Sequence, residues 1–283
     1  MHRPTQLNLY LTNRARLQAP WSQRGAIDAF ERDWIAQRMS ELGELSPPGS
    51  LAELKAAMKA QIEAEQQAPH DSETYVANHM PLGEFRTLVQ EFAVDGLTEA
   101  QVFYYVLPRL PLEAQMPLLR IMIDEFGSGN IKRAHTTLYI KLLHELGMPT
   151  ALAHYQECIG PSSFEFVNLF FWLALRADDA SYFAGALTHL ETVIPSFFEC
   201  YAVACQRLNI QAHAYYTEHQ HIDGFHAIEG QRLLTAMNAT GVLDPAKAYC
   251  GALLASHITD RAFREAVAKA RHATEQHACT TGG

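Results

Sequence analysis

The chain has 283 residues, 48% of them hydrophobic and 19% charged, with a formal net charge of −9. That is enough apolar material for a sizeable core, while the acidic balance argues against a nucleic-acid or anionic-membrane surface. No run of about 18 apolar residues is present, so no transmembrane helix is expected, and Met1–Pro20 lacks the continuous apolar segment of a secretory signal.

In chain order, Met1–Pro20 reads as an irregular arm. Ala26–Leu42 carries Ile27, Phe30, Trp34, Ile35 and Met39 at helical spacing. Ser46-Pro47-Pro48-Gly49 breaks that pattern. Ser50 with Glu53 forms a capping box that opens a charged, Ala-rich helix to about Gln67. This N-terminal extension, about residues 1–70, is polar enough to sit outside the core as a lid or an oligomer contact. Pro81–Phe92 is helical, 94–98 is a turn, and Thr98 with Gln101 repeats the capping-box pattern ahead of Glu99–Leu107. Pro108, Pro111 and Pro117 exclude one straight helix through the next stretch. Pro117–Phe126 is helical, Gly127–Asn130 ends it, and Ile131–Leu146 resumes. Thr150–Ile159 is a short helix and Ser163–Arg176 an apolar core helix. Ser181–Leu208 is a long apolar helix with Pro195 inside, followed by one from Gln211 to about Asn238. Asp244-Pro245 starts another at a position that favours Pro, and Thr259–His272 is the last, with the tail 273–283 expected to be disordered. No strand pattern occurs. The reading is all-α, about nine to eleven helices around the core of a single domain. The five cysteines, Cys158, Cys200, Cys205, Cys250 and Cys279, lack CxxC spacing, as reduced thiols of a cytoplasmic protein do.

Chemistry concentrates in Gln211–Gly230. His219, Asp223 and His226 stand at i, i+4 and i+7, within roughly 60° of one another on a helix. Imidazole and carboxylate suit iron, manganese and zinc; the competing reading is a polar helix face in a chain with 14 His. Glu191 lies mid-helix among Leu190, Val193 and Ile194, where a carboxylate must be paired, protonated or metal-bound; His189 or an Arg is the alternative partner. Pro195, four residues on, removes the hydrogen bond to the Glu191 carbonyl. Glu125 and His135 bracket the Gly127–Asn130 turn. Taken singly, His135 beside Leu138 and Leu142 is a satisfied core histidine and Glu125 a solvated helix end. Gly224, between Asp223 and His226, costs about 1 kcal/mol relative to Ala, so the helix is expected to be marginal until metal orders it. Tyr215, Tyr216, Phe170 and Trp172 are candidate pocket walls.

Three stretches resemble the heme-oxygenase-like diiron oxidases and oxygenases, a family of iron-containing redox enzymes: Ile123–His135 with Leu138 and Leu146-Gly147, His189-Leu190-Glu191 with Pro195–Tyr201, and Tyr216–His226. The resemblance implies a heme-oxygenase-like helical bundle without heme. It implies two Fe(II) ions held by Glu125, His135, Glu191, His219, Asp223 and His226, with O2 as co-substrate. Some relatives use a further upstream Glu; Glu99 and Glu113 are both open for that role. The implied activity is N-oxygenation, oxidative C–C cleavage or desaturation of a small, amino-acid-derived substrate in specialised metabolism. The long gap between Glu125 and His135 looks more like the N-oxygenating branch. Electrons come from an external donor, since no G-x-G-x-x-G nucleotide fingerprint occurs. A homodimer is the default assembly. The alternatives are a metal-independent helical enzyme resembling pyrroloquinoline quinone synthase or thiaminase, and a non-catalytic helical binding protein.

Overall fold

The computed structural model describes residues 5–18, 25–44, 46–68 and 70–281; the side chains of 16–18, 223 and 273–281 lie outside what is described. All regular elements among the described residues are helices, and none is long and apolar enough to cross a membrane. The N-terminal helices are α1 (Gln6–Gln18), α2 (Ala26–Glu41) and α3 (Leu51–Gln67). Next come α4 (Asp71–Asn78), α5 (Leu82–Glu91) and the short α6 (Ala93–Gly96). Two 3-10 turns, Gln101–Tyr105 and Leu107–Arg109, lead into α7 (Leu112–Glu125). The remainder is α8 (His135–Glu145), α9 (Leu152–Tyr155), α10 (Pro161–Leu175), α11 (Ser181–Phe197), α12 (Glu199–Arg207), α13 (Ala214–Ala239) and α14 (Pro245–Thr281).

Local chemistry sets several of these boundaries. Ser50 Oγ accepts from the Glu53 N–H at 3.2 Å, and the Glu53 carboxylate accepts from the Gly49 N–H at 2.7 Å. That reciprocal pair satisfies amides at the head of α3 that have no partner within the helix. Arg109 donates to the carbonyls of Leu173, Ala174 and Ala177 at 3.0, 2.9 and 2.5 Å, placing a cation on the C-terminal end of α10. The apolar stretch with Pro195 divides into α11 and α12 at Phe198, one turn after the proline's missing donor.

Elsewhere the expected elements are corrected. The arm at 1–20 is helical over Gln6–Gln18, and it buries Leu9 and Tyr10 in the core; residues 1–4 and 19–20 lie outside the described ones. The extension to residue 70 does not stand off as a polar lid. Trp34, Ile35, Leu54 and Met58 are core residues. The two buried charges among its described residues are met by later segments, Arg38 Nε by Glu165 at 2.8 Å and Glu31 by Arg176. Thr98 caps no helix: its hydroxyl donates back to the Val94 carbonyl at 2.7 Å, and Ala100 turns left-handed at φ 58°. A short hydroxyl side chain competes with helix continuation in this way. The first turn expected from Ile131 is irregular, with Ile131 exposed, and α8 begins at His135. Pro245–Thr281 is one helix instead of two, reaching past His272 into the expected tail; after Pro245 it contains no further proline.

The core is built around α11, which lies between α13 and α14. The α11–α14 crossing is at backbone distance. A Cβ on Gly185 would stand 1.8 Å from the Ala248 carbonyl oxygen, and one on Gly251 would stand 2.0 Å from that of Tyr182. Only glycine at both positions permits this approach. Gly185→Ala is therefore expected to lower unfolding stability by about 3 kcal/mol or more, the upper end of overpacking costs, measured by urea denaturation. Retention of wild-type stability would show that the two helices separate at little cost.

Candidate metal centre

Five segments deliver polar side chains to one place beside α11. The last turn of α7 carries Glu125. The chain then reverses through Gly127 at φ +63°, where a Cβ would stand 2.5 Å from the Ala134 nitrogen. Glycine thus lets the head of α8 fold back until His135 Nδ1 lies 2.8 Å from Glu125 Oε2. The stretch after α6 brings Glu99, α11 brings Glu191, and α13 brings His219 and His226 two turns apart on one face.

These residues form two groups. Glu99, Glu125, His135 and His219 make one, Glu125, Glu191 and His226 the other, and within each the ligand atoms lie within 4.8 Å of one another. Glu125 belongs to both. His219 Nε2 is 3.0 Å from Glu99 Oε1, and its Nδ1 is 2.6 Å from the Tyr215 carbonyl. The carbonyl contact orients the ring and leaves Nε2 facing the carboxylates, as in metal-ligating histidines. Tyr215 donates its hydroxyl to the same Glu99 oxygen at 3.2 Å. His226 Nδ1 lies 3.1 Å from Glu191 Oε2 and 3.6 Å from Glu125 Oε1, with Asp124 Oδ2 3.6 Å from its other nitrogen. The His135 and His219 rings are 4.2 Å apart.

Glu125, His135, Glu191, His219 and His226 are buried. Glu99 Oε2 is buried as well, with no hydrogen-bond partner among the described residues. Three carboxylates and three imidazoles crowded out of water are costly unless cations join them. Their types match the ligands of iron. On both counts the donor set fits a metal. Asp95 stands beside them, half-buried against the cavity. Burial raises its carboxyl well above the usual range; Glu99 and Glu125 push the same way, and His219 opposes them.

Of the residues picked out from sequence, Glu125, His135, Glu191, His219 and His226 come together here. Asp223 lies on α13 between the two histidines, and its side chain is outside the described residues. Of the two upstream acids, Glu99 joins the cluster, whereas Glu113 is exposed in the first turn of α7 beside a surface groove. His189 is not the partner of Glu191; its Nε2 faces Glu65 at 3.4 Å. Phe170 walls a cavity of about 90 Å³ over the centre, and Tyr215 and Tyr216 line an adjoining chamber of about 60 Å³. Trp172 packs edge-on against Tyr182, outside both linings. Sequence reasoning missed Asp95. Its spacing of four from Glu99 was a usable signal, hidden because the stretch reads as a turn.

The chain belongs to the iron-containing redox enzyme family, whose pattern matches residues 86–260 and so spans every clustered residue. It is an oxidoreductase of the heme-oxygenase-like helical class. It is also similar to the nitrosourea synthase of Streptomyces achromogenes subsp. streptozoticus, at 27% identity over 150 residues. That match takes in 50% of this chain and 30% of the relative, so the chain spans less than a third of that protein's length.

Gly224 meets nothing within 4 Å where a Cβ would stand, so packing does not require it, and its effect is to loosen α13. Metal-free protein is expected to exchange amide hydrogens faster over 211–230 than iron-loaded protein. Gly224→Ala should slow that exchange, by removing about 1 kcal/mol of helix penalty. Equal protection with and without iron would contradict this account of α13.

Proposed function

We propose that this chain is a non-heme diiron oxygenase or oxidase. It acts with O2 on a small, amino-acid-derived molecule, by N-oxygenation or oxidative C–C cleavage, in specialised metabolism. The observation that carries this reading is that Glu125 is common to both ligand groups. A single carboxylate has two oxygens, so Glu125 could serve two cations. Glu99, His135 and His219 would complete one position and Glu191 and His226 would serve the other; Asp223 is retained as a ligand on the strength of its sequence position alone. When bound, two ferrous ions supply electrons and open coordination positions for O2. An external donor must restore those electrons after each turnover.

The chain's own part is containment and orientation. Phe103, Phe170, Leu187 and Ile194 wall the cavity and keep bulk water from the ligands. The Tyr215 carbonyl and hydroxyl hold His219 and Glu99 in place, and Asp124 faces the far nitrogen of His226. Asp95 lines the same cavity beside Glu99, its carboxyl raised by burial in the metal-free chain. Similarity to a nitrosourea synthase supports oxygenation at nitrogen over the carbon chemistries.

Metal analysis of anaerobically iron-loaded protein tests the reading. About two iron per chain are expected for wild type, as in other carboxylate-bridged bundles. Glu191→Ala should retain about one, and Glu125→Ala should retain almost none, with unchanged circular dichroism. A wild-type protein that takes up no stoichiometric iron would sink the proposal. It would return the chain to the metal-independent enzymes or the binding proteins that share such bundles.

A further inference from the structure

The cavity over the centre is acidic on one side, where Asp95, Glu99, Glu125 and Glu191 line it, and largely apolar around Val102, Phe103 and Phe170. Among the described residues, one Lys or Arg side chain reaches it: Arg14, from α1. Arg14 Nη1 donates to the neutral Gln101 amide oxygen at 3.1 Å. No carboxylate pairs with Arg14 among the described residues, while Arg38, Arg120, Arg176, Arg232, Arg261 and Arg264 each have one. A guanidinium has five donors in a planar fork, and the bond to Gln101 uses one of them.

The aim of this side chain is set by its neighbours. Asn13 is wholly buried, and its amide donates to Asn168 Oδ1 at 3.1 Å while its own oxygen accepts from Arg176 at 2.8 Å. Asn168 in turn donates to Gln6 Oε1 at 2.8 Å. Sliding α1 by one residue would leave all of these polar groups buried and unsatisfied. The register of α1 is thereby locked, and with it the direction of Arg14. The family match covers residues 86–260, and α1 lies ahead of it.

We infer that Arg14 is a specificity-determining residue that receives a carboxylate of the substrate, so that the reacting end points toward Glu125. This rests on the cavity's being the substrate site of the proposed function. A planar carboxylate matches the guanidinium fork. A dianion such as phosphonate does not suit one cation facing four acidic side chains. The cavity of about 90 Å³ compares with roughly 10–15 Å³ for one water in the same measure, which favours a compact ligand.

Binding to the full chain, metal-free and iron-loaded, tests this by calorimetry and thermal shift. The probes are pentanoate, 5-aminopentanoate and norleucine, each against its primary amide, with butylphosphonate as the dianion. Wild type should bind at least one acid about tenfold or more tightly than its amide. Arg14→Gln should weaken the acid about 10- to 100-fold and leave the amide unchanged, and Arg14→Lys should fall between. The inference is overturned if no acid is preferred to its amide in wild type, if butylphosphonate binds best, or if Arg14→Gln binds the acids as wild type does. The wild-type comparison holds even where a variant misfolds. Iron content measured on the same samples separates the two ideas. Iron uptake without acid preference removes the anchor and leaves the metal centre. Arg14-dependent acid binding in a chain that takes up no iron removes the centre and leaves the anchor.

Discussion

The closeness of α11 to its neighbours governs everything else in this molecule. On one side Gly185 and Gly251 bring it to backbone contact with α14, and on the other Gly230 lets α13 lie against Thr188, where a Cβ would stand 2.9 Å from the hydroxyl. Thr188 precedes Glu191 by less than a turn, and Gly230 follows His226 by one. The contact that seats the two helices therefore also sets Glu191 against His226 at 3.1 Å. Packing density and ligand geometry are a single variable here, because an interior this close-packed transmits a small displacement rather than absorbing it.

Around that axis the fold concentrates charge where burial makes it costly. Glu125 and Glu191 sit in an apolar interior with three histidines. In the absence of cations the carboxylates crowd one another, and burial, with Glu99 and Glu125 adding to it, raises Asp95 beside them. Such a cluster opposes the folded state until positive charge arrives, so the hydrophobic packing of α10, α11 and α14 has to hold it together. The strain is accepted at one point and supported by the surrounding core, as is usual where local rules of stability are broken for a purpose.

How much of this could be read from the residues follows from the range of the forces involved. Helical periodicity is local, and so α2 and α5 were legible with their apolar faces and α13 with its polar stripe, whereas α10 and α11 were legible only as apolar helices. His219 and His226 share a face by arithmetic alone, and a carboxylate in the setting of Glu191 demanded a partner on grounds of burial. The stretch around Asp95 and Glu99 has no periodicity; its geometry comes from Thr98 bonding backward and from a left-handed Ala100. The helix α1 was illegible for a different reason. Its side chains are mostly polar, and the bonds that fix it run to Asn168 and Arg176, far along the chain. Choosing between Glu99 and Glu113 likewise needed tertiary placement, since each is an acid near the start of an element.

The buried amide pair between Asn13 and Asn168 joins positions 155 residues apart. A ribosome adding about 5–20 residues per second takes roughly 8–30 s to cover that distance. For that interval α1 lacks its partners Asn168 and Arg176, and only earlier segments such as α2 and the stretch at Gln101 are there to meet it. The helix that brings Arg14 to the cavity is thus fixed in place only once α10, made much later, supplies Asn168.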